Sequence, residues 1–217
     1  MKIGIIGAGM VGGALTKAFA RRGHDVVVSS SNPASDKMAA LITEAGGVAR
    51  AGSNDDAAGH GSLVVLATPW AATEGIVTEL NSKGLLENKI LLDTTNPIKE
   101  DFSGLTQPDE TSGGELVNEW AANAKVVKSM NQIGFALMDS PDVVAGRPIM
   151  FVAGDDAAAK ENVCLLIDEL GFVAEDCGGI AMSRSIEHLA WIWINRAMVQ
   201  GKGREFAFVL SNAPDAG

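Results

Sequence analysis

Closely spaced glycines near the N-terminus could form a phosphate-binding turn. The segment Gly7-Ala8-Gly9-Met10-Val11-Gly12 follows the apolar run Lys2–Ile6 and leads into a helical stretch over Met10–Arg22. In such a strand-turn-helix unit, the first glycine makes a tight turn, the second lets the backbone approach a pyrophosphate, and the third lets the helix pack against the strand. The helix N-terminus also presents free N–H groups and a partial positive charge to the phosphates. The pattern predicts a dinucleotide-binding fingerprint.

The residues after the second predicted strand indicate which dinucleotide would bind. An Asp or Glu about 20 residues beyond the glycines would hold the ribose 2′-hydroxyl of NAD. Here that strand ends at Ser29 and is followed by Ser30, Ser31 and Asn32. These residues offer hydrogen-bond donors and no acid that would repel a 2′-phosphate, and Lys37 follows closely enough to reach one. We therefore expect NADP(H) rather than NAD(H).

Two later apolar segments end in tips that could surround a flat ring. The first tip is Thr68-Pro69-Trp70, and the second is Thr94-Thr95-Asn96-Pro97. Both would lie at the carboxyl edge of a parallel sheet, where ligands bind at the switch of strand order. Their small and proline residues would leave a crevice open, although Pro69 and Pro97 could equally serve only to end the strands.

The composition excludes several kinds of chemistry. The 217 residues contain no Tyr, so a reductase mechanism that protonates a carbonyl through a phenol is closed to this chain. Two cysteines and three histidines, scattered along the sequence, do not form a zinc-ligand pattern, so we expect no metal site and two reduced thiols at Cys164 and Cys177. The net charge of −10 opposes binding to nucleic acid and to anionic membrane surfaces.

Short apolar runs alternate with longer helical segments, which predicts an α/β protein with a Rossmann-type, doubly wound parallel sheet. The predicted strands are Lys2–Ile6, Asp25–Ser29, Leu63–Ala67, Lys89–Asp93, Lys125–Lys128, Pro148–Ala153 and Phe172–Glu175. The predicted helices are Met10–Arg22, Ser35–Ala45, Ala71–Leu80, Glu115–Ala122, Ala157–Leu170 and Ala181–Gln200, with a short last helix near Arg204–Leu210. A loop around Ser140–Arg147 suggests a nucleotide-binding domain over residues 1–140 and a smaller, mainly helical C-terminal domain over 141–217, which would bind the acceptor and dimerise.

The long C-terminal helix is apolar on most sides. Ile186, Leu189, Ala190 and Trp193 form one stripe, and Trp191, Ile194 and Met198 form another. Such a helix predicts burial on several faces and a homodimer through the C-terminal helices. Arg184 and Glu187, at i and i+3, are expected to pair with each other, and His188 is expected at the polar edge.

The N-terminal apolar stretch differs from a signal peptide because glycines interrupt it and Arg21-Arg22 follows it. The longest apolar run elsewhere, Leu189–Ile194, is far shorter than a bilayer span of about 20 residues. We therefore expect a cytoplasmic protein with no membrane partner.

With these motifs in place, the chain resembles the NADPH-dependent reductases of the deazaflavin coenzyme F420. The resemblance extends over nearly the whole sequence. It includes the Gly7–Gly12 fingerprint, Gly23–Val28 leading to Ser30, Thr68–Trp70, Asn96-Pro97, Lys125–Lys128 with Met130-Asn131, Gly154–Asp156, and the stretch from Ser183 through Glu187 to Gly201–Arg204.

The resemblance implies a role for particular residues. The pyrophosphate would lie against Ala8, Gly9, Met10 and Val11, and the 2′-phosphate against Ser30, Ser31 and Asn32. The nicotinamide would be surrounded by Ala67, Thr68, Pro69, Asn96 and Pro97. The acceptor ring would contact Trp70, Asn131, Ile133, Gly134 and the Phe208 or Leu210 region. The acceptor would be a small redox-active molecule, F420 or another deazaflavin or flavin.

Three functions follow from these observations. The first is hydride transfer between NADPH and a flat redox ring, which requires stacking and water exclusion but no catalytic acid, base or metal, so no catalytic residue is assigned. The second is an NADPH-dependent imine, pyrroline or 3-hydroxyacid reductase. Hydroxyacid enzymes of this plan place a catalytic Lys on the helix after a Gly-Gly turn, whereas Gly178-Gly179 here is followed by Arg184 and by no Lys before Lys202. The third is a non-catalytic NADP(H)-binding redox sensor.

Overall fold

Eight strands form one sheet in the order β3-β2-β1-β4-β5-β6-β7-β8. The protein is represented by a computed structural model that describes residues 1–46, 48–107 and 109–211. The strands are β1 (Lys2–Ile6), β2 (Asp25–Ser29), β3 (Ala49–Gly52), β4 (Leu63–Leu66), β5 (Ile90–Asp93), β6 (Lys125–Lys128), β7 (Ile149–Gly154) and β8 (Val173–Asp176). Neighbouring strands from β3 to β6 are parallel, β7 is antiparallel to β6, and β8 is parallel to β7.

Helices cover both faces of the sheet. They are α1 (Met10–Arg21), α2 (Asp36–Ala45), α3 (Asn54–His60), α4 (Trp70–Ser82), α5 (Gly113–Trp120), α6 (Phe135–Met138), α7 (Ala157–Glu169) and α8 (Ser183–Ile194). One apolar core lies between the sheet and helices α1, α2, α6 and α7, and the other lies between the sheet and α3, α4 and α5. Because both faces are covered, the central strands β1 and β4 are almost entirely apolar and buried. The predicted doubly wound α/β fold with a helical C-terminal part is confirmed.

Strand register brings the functional tips to one edge of the sheet. Ile6 lies beside Leu66, Leu66 beside Asp93, and Asp93 beside Lys128. The carboxyl ends of β1, β4, β5 and β6 therefore form a continuous edge, and the loops that follow them face the same crevice.

The seven predicted strands are confirmed, and each boundary lies within one residue of the observed one. Strand β3 and helices α3 and α6 were not predicted. The sequence of β3, Ala-Arg-Ala-Gly, has little strand preference of its own. The strand is stabilised by its parallel pairing with β2. Helix α3 carried a detectable signal, because Ser53 and Asp56 form a capping box at its start.

The predicted short helix over Arg204–Leu210 is wrong, because that segment runs without helical structure. Two of its backbone carbonyls accept hydrogen bonds from distant groups. Trp193 Nε1 donates to the Phe206 carbonyl at 2.9 Å, and the Ile149 amide donates to the Phe208 carbonyl at 2.9 Å. These tertiary contacts hold an extended strap against α8 and β7 in place of a helix.

A fully buried ion cluster joins the C-terminal part to the sheet. The Lys128 ammonium lies 2.9 Å from Asp93 Oδ2 and 2.9 Å from Glu187 Oε1, and all three side chains are at most 1% exposed. Burial alone disfavours the charged lysine, but the two carboxylates outweigh it and raise the pKa of Lys128 above its ordinary value. Glu187 also accepts hydrogen bonds from the amides of Gly113 and Gly114 at the start of α5, both at 2.9 Å.

The predicted pairing of Arg184 with Glu187 is wrong, because Glu187 is already bound to Lys128. Arg184 instead forms a bidentate pair with Glu115, at 2.8 and 2.6 Å, while Glu187 points inward to Lys128. This pairing holds the pKa of Glu115 below its ordinary value. Partners on other elements therefore override the local i, i+3 rule on α8. His188 is exposed, as expected for the polar edge of that helix.

Within the described ranges, no helix is both long enough and apolar enough to cross a bilayer. The domain division at residue 140 stays a prediction. Beyond it, β7 continues the sheet by pairing with β6.

Replacing Lys128 with methionine is expected to destabilise the fold by about 3–5 kcal/mol, because two buried carboxylates lose their shared cation. The matched control is Lys125→Met on the same strand. Lys125 has a partly exposed pair with Asp156 at 3.0 Å, and its loss should cost less than about 1 kcal/mol. Urea denaturation of both variants measures the difference. Equal losses for the two variants would show that the buried cluster does not hold the fold together.

Candidate dinucleotide-binding site

The glycine turn after β1 is shaped by close backbone approach. Gly7 has φ +103°, a conformation that side chains with a Cβ rarely adopt. A Cβ on Gly12 would lie 1.8 Å from the Gly7 carbonyl oxygen, so only glycine lets α1 start this close to the turn. The strand-turn-helix geometry expected from the sequence is present.

The N-terminus of α1 is open to a ligand. Gly9 is the N-cap, no side chain caps the helix, and its first turn contains no acidic residue. The amides of Met10, Val11 and Gly12 are therefore among the N–H groups that a helix start leaves without an internal partner. Among the described residues, no atom lies within 4 Å of the position that a Cβ on Gly9 would occupy, apart from its chain neighbours and the backbone of α1. This cradle fits the pyrophosphate of a dinucleotide.

Ser29 forms a hydrogen bond to the glycine turn after β1, and it was not among the predicted site residues. Its buried hydroxyl accepts a hydrogen bond from the Gly7 amide at 3.1 Å and donates to Asn54 Oδ1 at 2.6 Å. Its signal in the sequence was a polar residue that ends an otherwise apolar run in β2.

A groove of about 470 Å³ extends from the glycine turn toward the predicted ribose side. Its walls include Ala8, Gly9, Met10, Ser30 and Lys37, which joins two parts of the predicted site. The Lys37 side chain has no ion-pair partner among the described residues.

Ser31 and Asn32 are exposed on the turn beside this groove and do not line it. Ser35, which the sequence analysis left out of the site, does line it and caps α2 by accepting a bond from the Met38 amide. The cap orients the start of α2, and with it Lys37, toward the groove.

The tips after β4 and β5 lie side by side at the carboxyl edge. Thr94 donates its amide and its hydroxyl to the Leu66 carbonyl, which joins the two strand ends. Ala67 and Thr68 are half-buried at this edge and Pro69 is exposed. The Thr68 hydroxyl bonds to Thr73 at 2.9 Å.

Asn96 and Asn131 form a reciprocal pair across the crevice. Asn96 Nδ2 donates to the Asn131 carbonyl at 2.8 Å, and Asn131 Nδ2 donates to Asn96 Oδ1 at 3.0 Å. The Lys128 ammonium donates to the Thr95 carbonyl at 2.7 Å, and Asp93 accepts from the Thr95 amide and hydroxyl. The tip that carries Asn96 and buried Pro97 is therefore held from both sides.

The predicted acceptor residues lie in two different surroundings. Ile133 is buried, and Gly134 is so close to the Trp193 ring that a Cβ would lie 2.6 Å from it. Trp70 instead packs on Trp120 between α4 and α5, with ring centroids 5.6 Å apart.

The other two predicted acceptor residues belong to the C-terminal strap. Phe208 packs edge-on against Phe206, and Leu210 is half exposed. The structure thus brings Asn131 to Asn96, places Ile133 in the core and Gly134 against Trp193, and packs Trp70 on the other face of the sheet.

Potential metal ligands are not clustered in the described part of the chain. It contains no group of three or more His, Cys, Asp or Glu side chains that could hold a metal. Both cysteines are free and partly buried, and burial raises their pKa values, which disfavours the reactive thiolate.

Substituting Gly9 with valine should weaken NADPH binding at least about tenfold, because the side chain would occupy the open cradle at the helix start. Stability should fall by less than about 1 kcal/mol, since Gly9 has extended backbone angles and free space around it. Titration of NADPH fluorescence and thermal unfolding measure the two effects. Gly75→Val, at another open glycine on α4, is the control and should leave binding unchanged. Unchanged binding by Gly9→Val would mean that the phosphates bind elsewhere.

Comparison with known proteins agrees with this geometry. Residues 2–97 match the family described as NADP oxidoreductase, coenzyme F420-dependent. The crystal structure of a proposed F420-dependent NADP reductase from Arthrobacter sp. FB24 superposes with a TM-score of 0.88 at 32% identity, covering 98% of this chain and 100% of that one.

More distant matches share parts of this plan. Human metalloreductase STEAP2 is 25% identical over 189 residues, which cover 86% of this chain and 35% of that protein. The chain thus spans about a third of the length of the curated relatives it matches. An imine reductase from Streptomyces aurantiacus has a TM-score of 0.65 at 15% identity, over 92% of this chain and 64% of that one, and shows a likeness of fold alone.

The full-length match to the Arthrobacter protein extends the N-terminal family match across the C-terminal part. Together with the glycine turn and the groove beside it, these matches show that the chain belongs to the family of coenzyme F420-dependent NADP oxidoreductases.

Proposed function

We propose that the protein transfers hydride between NADPH and a flat redox ring, most favourably a deazaflavin of the F420 type or a flavin. The observation that carries this proposal is the crevice at the sheet edge. The glycine turn follows β1 at this edge, and the predicted ring-binding residues Thr68, Pro69, Asn96, Asn131 and Ile133 follow β4, β5 and β6 there. None of these five side chains is ionisable, so they suit a reaction that needs alignment rather than proton transfer.

The chain's own residues would act by binding and orientation. The amides at the start of α1 would hold the pyrophosphate, and Ser30 and Lys37 would hold the 2′-phosphate. NADPH, when bound, supplies the hydride. The Asn96–Asn131 pair would fix the tip beside the nicotinamide, because Asn96 Nδ2 donates to the Asn131 backbone carbonyl and Asn131 Nδ2 donates to Asn96 Oδ1. The buried Ile133 and the closely packed Gly134 would exclude water from the ring surface.

A panel of acceptors tests this function directly. With NADPH in the assay, we expect oxidation in the presence of F420, FMN or riboflavin, and little with 3-oxoacids, whose reduction requires a proton donor at the pocket. Cyclic imines can arrive already protonated, so they are included as the test of an imine reductase. Ferric chelates belong in the panel because a relative is a metalloreductase. Loss of absorbance at the NADPH band is the measurement. Tight NADPH binding with no oxidation by any acceptor would favour a redox sensor, and turnover of imines alone would favour an imine reductase.

Lys37→Ala should weaken NADPH binding by about tenfold, because one charge-assisted contact to the 2′-phosphate is lost. NADH lacks that phosphate, so its affinity should not change. Lys83→Ala, which removes the same charge from the far end of α4, serves as the control. Equal weakening of both dinucleotides by Lys37→Ala would place the lysine away from the 2′-phosphate.

The proposal includes a cytoplasmic homodimer. Ile192 and Met198, from the C-terminal helical segment, are respectively 58% and 41% exposed, and such apolar exposure suits contact with a second copy.

A further inference from the structure

A second concave surface lies beside the proposed acceptor site and carries several cations. This basic pocket has a volume of about 820 Å³ and is lined by Arg196, Lys202, Arg204, Glu205, Phe206 and Ala136, among others. Three cations and one carboxylate give it a local charge near +2, in a protein whose net charge is −10. The basic pocket is therefore locally positive, whereas the molecule as a whole is negatively charged.

The cations of this basic pocket have no carboxylate partners among the described residues. Nine other lysines and arginines pair with Asp or Glu elsewhere, but Arg196, Lys202 and Arg204 form no ion pair among the described residues, including with Glu205 in the same pocket. In a chain with 27 acidic and 17 basic residues, three unpaired cations in one concavity indicate a site for an external anion.

Aromatic rings hold the two guanidinium groups in place. The Arg196 Cζ atom lies 4.0 Å from the centroid of the Phe206 ring, and Arg204 Cζ lies 5.7 Å from that of Phe135. Phe206 is itself stacked on Trp193 at 5.0 Å. Arg204 Nε donates to Met198 Sδ at 3.1 Å, and the other edge N–H groups of a guanidinium that lies over a ring can donate to a phosphate or carboxylate.

The backbone of the basic pocket has an unusual shape that places these side chains. Arg196 lies on a π-helical turn, Asn195–Val199, which is closed by a bond from the Gln200 amide to the Asn195 carbonyl at 2.9 Å. Gly201 and Gly203 follow with φ +64° and +82°, and they present Lys202 between them. Single π turns inside helices are frequent at functional sites because they redirect side chains.

The basic pocket adjoins both parts of the proposed active site. Ala136 lines this pocket and also the dinucleotide groove. A Cβ on Gly134, a predicted acceptor residue, would lie 3.4 Å from the Arg204 carbonyl oxygen. An anion bound by the three cations would therefore lie next to a ring held at Asn131 and Gly134.

We propose that the basic pocket binds an anionic substituent, a phosphate or carboxylate, that is carried by the acceptor ring. This inference rests on the proposed function. It specifies that the acceptor is an anionic ring compound and that Arg196, Lys202 and Arg204 select for its charge. The phosphates of NADPH have a separate site at the α1 cradle and Lys37, so the two kinds of anion can be distinguished by experiment.

FMN and riboflavin provide the test, because they share one ring system and differ by a phosphate. With saturating NADPH, we expect kcat/KM to be about tenfold higher for FMN than for riboflavin, as for one charged contact site. The ratio should fall by roughly threefold or more in Lys202→Gln, and further in Lys202→Gln combined with Arg204→Gln. Added salt should lower the ratio as well. Lys83→Gln, with the same loss of charge, should leave the ratio unchanged.

Several results would overturn the inference. These are an FMN to riboflavin ratio near one, a ratio that the Lys202 variant does not alter, or a loss of NADPH affinity in that variant as large as the loss for FMN. If neither flavin is reduced, the proposed function is contradicted for flavins, but the pocket is still tested. Quenching of flavin fluorescence by the NADP⁺-loaded protein then compares FMN with riboflavin, and equal affinities contradict the pocket. Thermal unfolding confirms that each variant is folded.

Discussion

One buried lysine sets the relation between the two parts of this protein. The Lys128 ammonium lies at the end of β6, between Asp93 on the neighbouring strand and Glu187 on α8. A buried charge is tolerable only when it is paired and hydrogen-bonded, so α8 must remain where it can supply its carboxylate. Two carboxylates beside one ammonium leave one buried negative charge unbalanced. The amides of Gly113 and Gly114 at the start of α5 donate to Glu187 and lower the free-energy cost of burying that charge. Sheet, α5 and α8 are thereby joined at one point.

The same interaction reaches the proposed site through a single carbonyl. Lys128 donates to Thr95, and the next residue, Asn96, pairs with Asn131. The tip that carries Asn96 is thus held by the same ammonium group that holds α8, so we expect a shift of α8 to move the tip. The hydrogen bonds among Asp93, Thr95 and Lys128 are buried, where each is costly to leave unmade, and those between Asn96 and Asn131 are partly buried. These bonds give the tip the rigidity that the proposed catalysis by alignment would require.

Much of this arrangement could be predicted from the sequence, and most of the failures have a common physical cause. Local patterns identified seven of the eight described strands and the glycine turn, because buried parallel strands are continuous apolar runs and a turn at Gly7 requires glycine. Long-range pairings could not be read in this way. Asp93 and Lys128 are 35 residues apart, and nothing local indicates that Glu187 turns inward rather than toward Arg184. The segment after residue 200 is extended because its carbonyls accept hydrogen bonds from Trp193 and Ile149. Such tertiary bonds leave no local pattern in the sequence, so the sequence wrongly predicted a helix there.

The charge distribution adds a constraint on how an acidic protein can bind anions. A net charge of −10 repels an anionic cofactor or acceptor at long range, but screening limits that repulsion to about 8–10 Å in physiological salt. Within that distance, only local donors matter. At α1 these donors are backbone amides, which carry no net charge that a nearby acid could neutralise. At the basic pocket two of them are guanidinium groups placed over rings rather than beside carboxylates. In both places the hydrogen-bond donors stay available in a chain rich in acids, because no carboxylate in the described part of the protein pairs with them.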